Sequence, residues 1–82
     1  MKFSDDELQL LCDVTLLGIL KKEPQETIDD VLLMLAETGM YTLKEAKAIL
    51  KHLRKEALVQ NGTLTVKGML RAKEAERKFS EQ

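Results

Sequence analysis

The feature that most constrains this chain is the dipeptide Asn61-Gly62, set between two short β-prone runs, Leu58-Val59-Gln60 and Thr63-Leu64-Thr65-Val66. Asn and Gly both tolerate positive φ, so the pair favours the type I′ turn that closes a two-residue hairpin with the native strand twist. The hairpin is predicted over 58–66. Both of its flanks read as helices, so the strands belong to a small ribbon attached to a helical body.

The helices follow from caps and period. Ser4 and Glu7 form a capping box, with Phe3 and Leu8 at the staple positions on either side. Asp5, Asp6 and Glu7 suit the positive end of the helix dipole. Helix one is predicted over 4–20, with Pro24 beyond it as a stop. Its apolar residues fall on two sides: Leu8, Leu11, Cys12 and Ile19 share one, and Leu10, Val14 and Leu17 lie roughly opposite. The second side therefore meets either the last helix or another subunit. Helix two, 28–38, starts after Thr27 with Asp29 and Asp30 in its first turn. Ile28, Val31, Leu32, Leu35 and Ala36 repeat at helical spacing, and Gly39 closes it in the left-handed position past the end. Helix three, 42–56, opens on a second capping box, Thr42 with Glu45. Leu43, Ala46, Ile49, Leu50, Leu53 and Ala57 are expected to form its buried side. A fourth helix is expected over 67–79, with a thin apolar face of Met69, Leu70, Ala72, Ala75 and Phe79. Met34, Met40 and Met69 read as core fillers. The result is a single domain, 1–82, mainly α with a small β-hairpin.

The run Leu53-Arg54-Lys55-Glu56-Ala57-Leu58-Val59, the turn, and then Leu64-Thr65-Val66-Lys67-Gly68 resembles the recognition helix and wing of winged-helix transcription regulators of the MarR and PadR types. The resemblance covers about residues 28–78. It implies a winged helix-turn-helix: three helices, a two-stranded wing and a C-terminal helix. It also implies that the helix at 42–55 enters the major groove of double-stranded DNA while the hairpin touches flanking backbone or minor groove.

Charge supports an anionic partner. The overall net charge is −1. Residues 1–39 carry three lysines against nine carboxylates, a net of −6, and residues 40–82 carry ten cations against five carboxylates, a net of +5. A polyanion responds to the local field, so the asymmetry outweighs the total. The alternative, compatible with the first, is that the two halves attract each other and stabilise the fold. With Leu43 at zero and about 100° per residue, Lys47, Lys51, Lys44 and Lys55 lie near 40°, 80°, 100° and 120°, with Arg54 at the edge. Like charges at i, i+4 cost a few tenths of a kcal/mol each, which a polyanion relieves. Thr42, Lys44, Lys47, Lys51, Arg54 and Lys55 are thus the candidate nucleic-acid contacts. They suit phosphate binding more than base reading, for which Arg, Asn or Gln on base edges is preferred. A solvated face is the equal alternative. The basic residues of helix four, Lys67, Arg71, Lys73, Arg77 and Lys78, interleave with Glu74 and Glu76 and read as a solvated surface.

Leu10, Val14, Leu17 and Phe79 are the candidate surface of a two-fold homodimer, which would set two recognition helices about 34 Å apart. Intrachain packing under helix four is the competing reading. The uncharged hairpin tip, Gln60 to Thr63, and the acidic pI of 5.8 also fit a winged-helix module that binds protein rather than nucleic acid. No metal, cofactor or catalytic arrangement is expected. His52 has no second His or Cys beside it, Cys12 reads as a small buried hydrophobe, and Tyr41 reads as packing rather than a phosphate contact. No apolar run approaches the ~20 residues of a membrane span, and the acidic N-terminal segment is unlike a secretory signal. A lone cysteine adds to the expectation of a cytoplasmic protein.

Overall fold

A computed structural model describes residues 3–81. Its elements are α1 (Asp5–Lys21), α2 (Ile28–Glu37), α3 (Leu43–Lys55), β1 (Val59–Gln60), β2 (Thr63–Leu64) and α4 (Val66–Ser80). The chain is mainly helical with one two-stranded antiparallel hairpin.

Each helix starts where a side chain satisfies backbone donors that have no partner inside the helix. The Ser4 hydroxyl accepts from Glu7 N–H at 3.1 Å, and the Glu7 carboxylate accepts from Ser4 N–H at 3.3 Å. Thr42 and Glu45 repeat the exchange at 3.1 and 2.9 Å. Thr27 and Asp30 form a third box, at 3.1 and 2.9 Å, with the shorter Asp doing the work of the usual Glu.

The helix ends are also specified. Beyond α2, Gly39 takes φ +86°. Its N–H donates to Ala36 O at 3.1 Å, and Met40 N–H donates to Leu35 O at 3.2 Å. This is a Schellman closure. Beyond α3 the same closure recurs, Ala57 N–H to Arg54 O at 3.1 Å and Leu58 N–H to Leu53 O at 2.9 Å. The left-handed residue here is Ala57, φ +59°. Ala57 is therefore outside the helix and exposed, not part of the buried side of α3.

The hairpin pairs Val59 with Leu64 and Gln60 with Thr63. Asn61 at φ +52° and Gly62 at φ +75° make its turn, the left-handed pair that a type I′ geometry requires. Its base is tied to the next helix. Thr65 N–H donates to Leu58 O at 3.0 Å. The Thr65 hydroxyl donates to Ala57 O at 2.7 Å and accepts from Gly68 N–H at 3.0 Å, capping α4. Helix α4 accordingly begins at Val66, one residue before the expected start.

Helix α1 touches α2, α3, α4 and β2, and the core gathers around it. Leu16, Leu32, Ile49, Leu53, Leu58 and Val59 are fully buried. Each such side chain contributes about 1.5–3 kcal/mol of hydrophobic stabilisation. Tyr41 is buried, and its hydroxyl lies 2.9 Å from that of Thr15. Thr15 donates its only hydroxyl hydrogen to Leu11 O, so Tyr41 is the donor of the pair. Tyr41 therefore packs, as expected. Cys12 is buried as expected.

Several apolar residues expected inside are on the surface. Met34, Met40 and Met69 are exposed, and so are Leu70 (62 %) and Leu43 (42 %). The buried line of α4 is Gly68, Ala72 and Ala75. Gly68 lies against the Leu58 backbone, and the small Ala72 and Ala75 complete the buried line, which leaves the larger apolar side chains of α4 on the outside. Leu43 is the first residue of α3, at the rim of the core rather than within it.

Candidate nucleic-acid interface

Helix α3 presents its buried line, Ala46, Ile49, Leu50 and Leu53, to the core. The opposite side follows from the 3.6-residue period: Lys44, Lys47, Lys51, Arg54 and Lys55 are all exposed. Eleven residues separate Lys44 from Lys55, about 16 Å along the axis. Successive members at i, i+4 stand about 6 Å apart. Among the described residues, none of these five cations makes an ion pair within the chain.

Thr42 has a different standing. Its N–H is held by the Glu45 carboxylate and its hydroxyl oxygen accepts from Glu45 N–H, so both are engaged in the cap. Only its hydroxyl hydrogen is left to meet a phosphate oxygen.

The cations of α4 are partly committed inside the molecule. Arg71 Nε and Lys78 Nζ lie 3.6 and 3.4 Å from the two carboxylate oxygens of Asp13. Gln9 donates to the same carboxylate at 3.2 Å. Asp13 is 4 % exposed, so this is a buried carboxylate satisfied from two helices. Lys67 donates to Glu56 O at 3.2 Å, and Glu76 pairs with Lys21. Of the five basic residues of α4, Lys73 and Arg77 are exposed with no such bond among the described residues. Asp13 was not singled out from the sequence. The available signal is an acid within the stretch of helix one from Leu10 to Leu20, where Thr15 is the one other polar residue.

The Asp13 clasp joins the acidic first half to the basic second half, so part of the charge polarity stabilises the fold. It also bears on the second side of α1. Helix α4 packs on α1, and Leu10 nevertheless stays 50 % exposed while Val14, Leu17 and Phe79 are half-buried.

Two buried groups have raised pKa values. Burial lifts the Cys12 thiol above its ordinary 9.0, opposed by Arg71 and helped by the charges of Asp13 and Glu56. Burial likewise lifts the Tyr41 phenol above 10.0. Neither is poised for chemistry at neutral pH. The described residues contain no group of three or more His, Cys, Asp or Glu that would hold a metal ion, and no helix long and apolar enough to cross a membrane.

The hairpin tip, Gln60 to Thr63, is exposed and uncharged. Comparison of the chain with protein-family profiles, with characterised proteins and with solved structures returned no match.

Proposed function

We propose that this chain is a winged helix-turn-helix protein that binds double-stranded DNA and acts as a transcription regulator. In this reading α2 and α3 are the helix-turn-helix, β1 and β2 the wing, and α3 lies in the major groove. The observation that carries it is the arc of Lys44, Lys47, Lys51, Arg54 and Lys55, exposed and, among the described residues, without internal ion pairs, while Arg71 and Lys78 are held by Asp13. Binding is chiefly to phosphates, because lysine acts as a point charge. A two-fold contact through Leu10, Val14, Leu17 and Phe79 would place two copies of α3 on successive turns of the duplex.

The experiment is a fluorescence-anisotropy titration of a short duplex across salt concentrations. Four phosphate contacts per subunit give a slope of log K against log [salt] of about −3.6. The double variant Lys47→Glu, Lys51→Glu removes two contacts and adds repulsion. Parental affinity in that variant removes the proposal.

A second reading is supported by a specific feature, a shallow groove lined by Phe3, Leu10, Leu11, Met40 and Tyr41, with Glu7 and Glu45 beside them. Exposed apolar surface with an acidic rim suits a protein partner, and the uncharged hairpin tip agrees with it. Under that reading the protein leaves duplex unbound even at low salt.

A further inference from the structure

Leu43 stands apart from the buried residues of α3 because it lies at the rim of the core, where the cationic arc begins. It is 42 % exposed. At about 100° per residue, the exposed arc of α3 runs Leu43, Arg54, Lys47, Lys51, Lys44, Lys55, Ala48. Leu43 and Ala48 are the only members without charge, and both are exposed. They sit in the N-terminal half of the helix, about 7.5 Å apart along its axis. The C-terminal half offers only Lys51, Arg54 and Lys55. Leu33 of α2, 47 % exposed, shares with Leu43 a shallow groove of about 290 Å³ whose walls include Leu32, Lys47 and Asp29. The leading end of α3 is therefore an apolar patch flanked by ammonium groups.

The adjoining Thr42 hydroxyl has its oxygen engaged in the helix cap, so what the patch offers a base edge is chiefly apolar contact. In the major groove, the thymine C5-methyl is the apolar mark of an unmodified base pair. In helix-turn-helix docking it is the N-terminal residues of the second helix that meet base edges. We propose that Leu43, with Leu33 of α2 beside it, is a methyl-reading site that gives the protein a preference for duplexes bearing C5-methyl groups, thymine foremost, in the major groove. The lysines supply affinity without sequence, and Leu43 supplies the discrimination. The inference rests on the reading of α3 as the DNA-contacting helix.

The test compares two duplexes of identical sequence, one with thymine and one with deoxyuridine at every thymine position. Their Watson–Crick hydrogen bonds are the same and only the methyl groups differ. Anisotropy at one fixed low salt concentration gives both affinities. A buried methyl-sized group is worth about 0.8 kcal/mol, or roughly fourfold in affinity for each contacted methyl. Replacing cytosine by 5-methylcytosine in a thymine-free duplex is expected to raise affinity by a similar factor. Leu43→Ala is expected to abolish both differences and keep the salt slope. Equal binding of the thymine and deoxyuridine duplexes by the parent, with the steep salt slope intact, overturns the methyl-reading site and leaves the DNA reading standing. Absence of binding to any duplex overturns both.

Discussion

Gly68 closes the Leu-Thr-Val-Lys-Gly segment, and replacing it by alanine measures how tightly the hairpin base is joined to α4. In an open helix, Gly→Ala is favourable by about 1 kcal/mol. Here an added Cβ falls 2.0 Å from Leu58 O and 2.9 Å from Leu58 C. Both are backbone atoms, and Leu58 O already accepts from Thr65 N–H. Relief requires α4 to move away. That movement stretches three bonds: Thr65 N–H to Leu58 O, the Thr65 hydroxyl to Ala57 O, and Gly68 N–H to the Thr65 hydroxyl. At about 1 kcal/mol each the loss is about 3, and the helix gain returns about 1. Gly68→Ala is therefore expected to destabilise the fold by about 2 kcal/mol. A chain of 82 residues has roughly 4–12 kcal/mol to lose. The expected fall in Tm is about 8–16 °C. Urea unfolding followed by far-UV circular dichroism gives the free energy directly. Gly62→Ala is the control, because its Cβ meets nothing within 4 Å and it suffers only the strain of φ +75°, about 1 kcal/mol. If Gly68→Ala is as stable as the parent, or loses less than Gly62→Ala, the close approach of Leu58 O is not a constraint and the reasoning fails.

Three further outcomes are expected. Ala57→Gly relieves a left-handed alanine and raises stability by about 0.5–1 kcal/mol in the same urea assay. Asp13→Ala removes the carboxylate shared by Arg71 and Lys78 and costs about 1–2 kcal/mol, moderated because both cations reach solvent; the same titration read at two salt concentrations checks it. Tyr41 and Cys12 both have raised folded pKa values, so the native state holds their protons longer than the unfolded chain does. Their contribution is whole below the ordinary values of 9.0 and 10.0 and is lost as pH rises through the folded ones. Stability is thus expected to fall on the alkaline side. Tyr41→Phe makes that fall shallower while costing about 1 kcal/mol at pH 7 for the lost Thr15 bond.

What was legible in the sequence was local. Ser4 with Glu7, Thr42 with Glu45, Gly39 and Asn61-Gly62 each announce their geometry within three residues, because caps and turns are satisfied by near neighbours. What was not legible depends on distant partners or on where the core stops. Asp13 meets Lys78 across 65 positions of sequence, and no spacing rule links them. Leu43 fits the apolar period of α3, yet it stands at the rim, where period alone does not separate buried from exposed. Ala57 continues the same period past the end of the helix, and no residue preference marks it as the left-handed closure that Gly39 so plainly is. For the candidate interface, helical spacing sets the lysines on one arc of α3, and all of them are exposed. Which cations are already engaged emerged only once α4 was laid on α1.

The closed base of the hairpin has a consequence for how such a protein changes over time. Register is fixed at Leu58, Thr65 and Gly68, so Gln60, Asn61, Gly62 and Thr63 bear little of the fold's stability. Loop lengthening is cheap in entropy once its ends are held, growing only with the logarithm of length. Arginines or extra residues inserted at the tip would alter what the molecule touches without disturbing the helices beneath. The tip can change while its mount stays in place, so a surface contact there is gained or shed independently of α3.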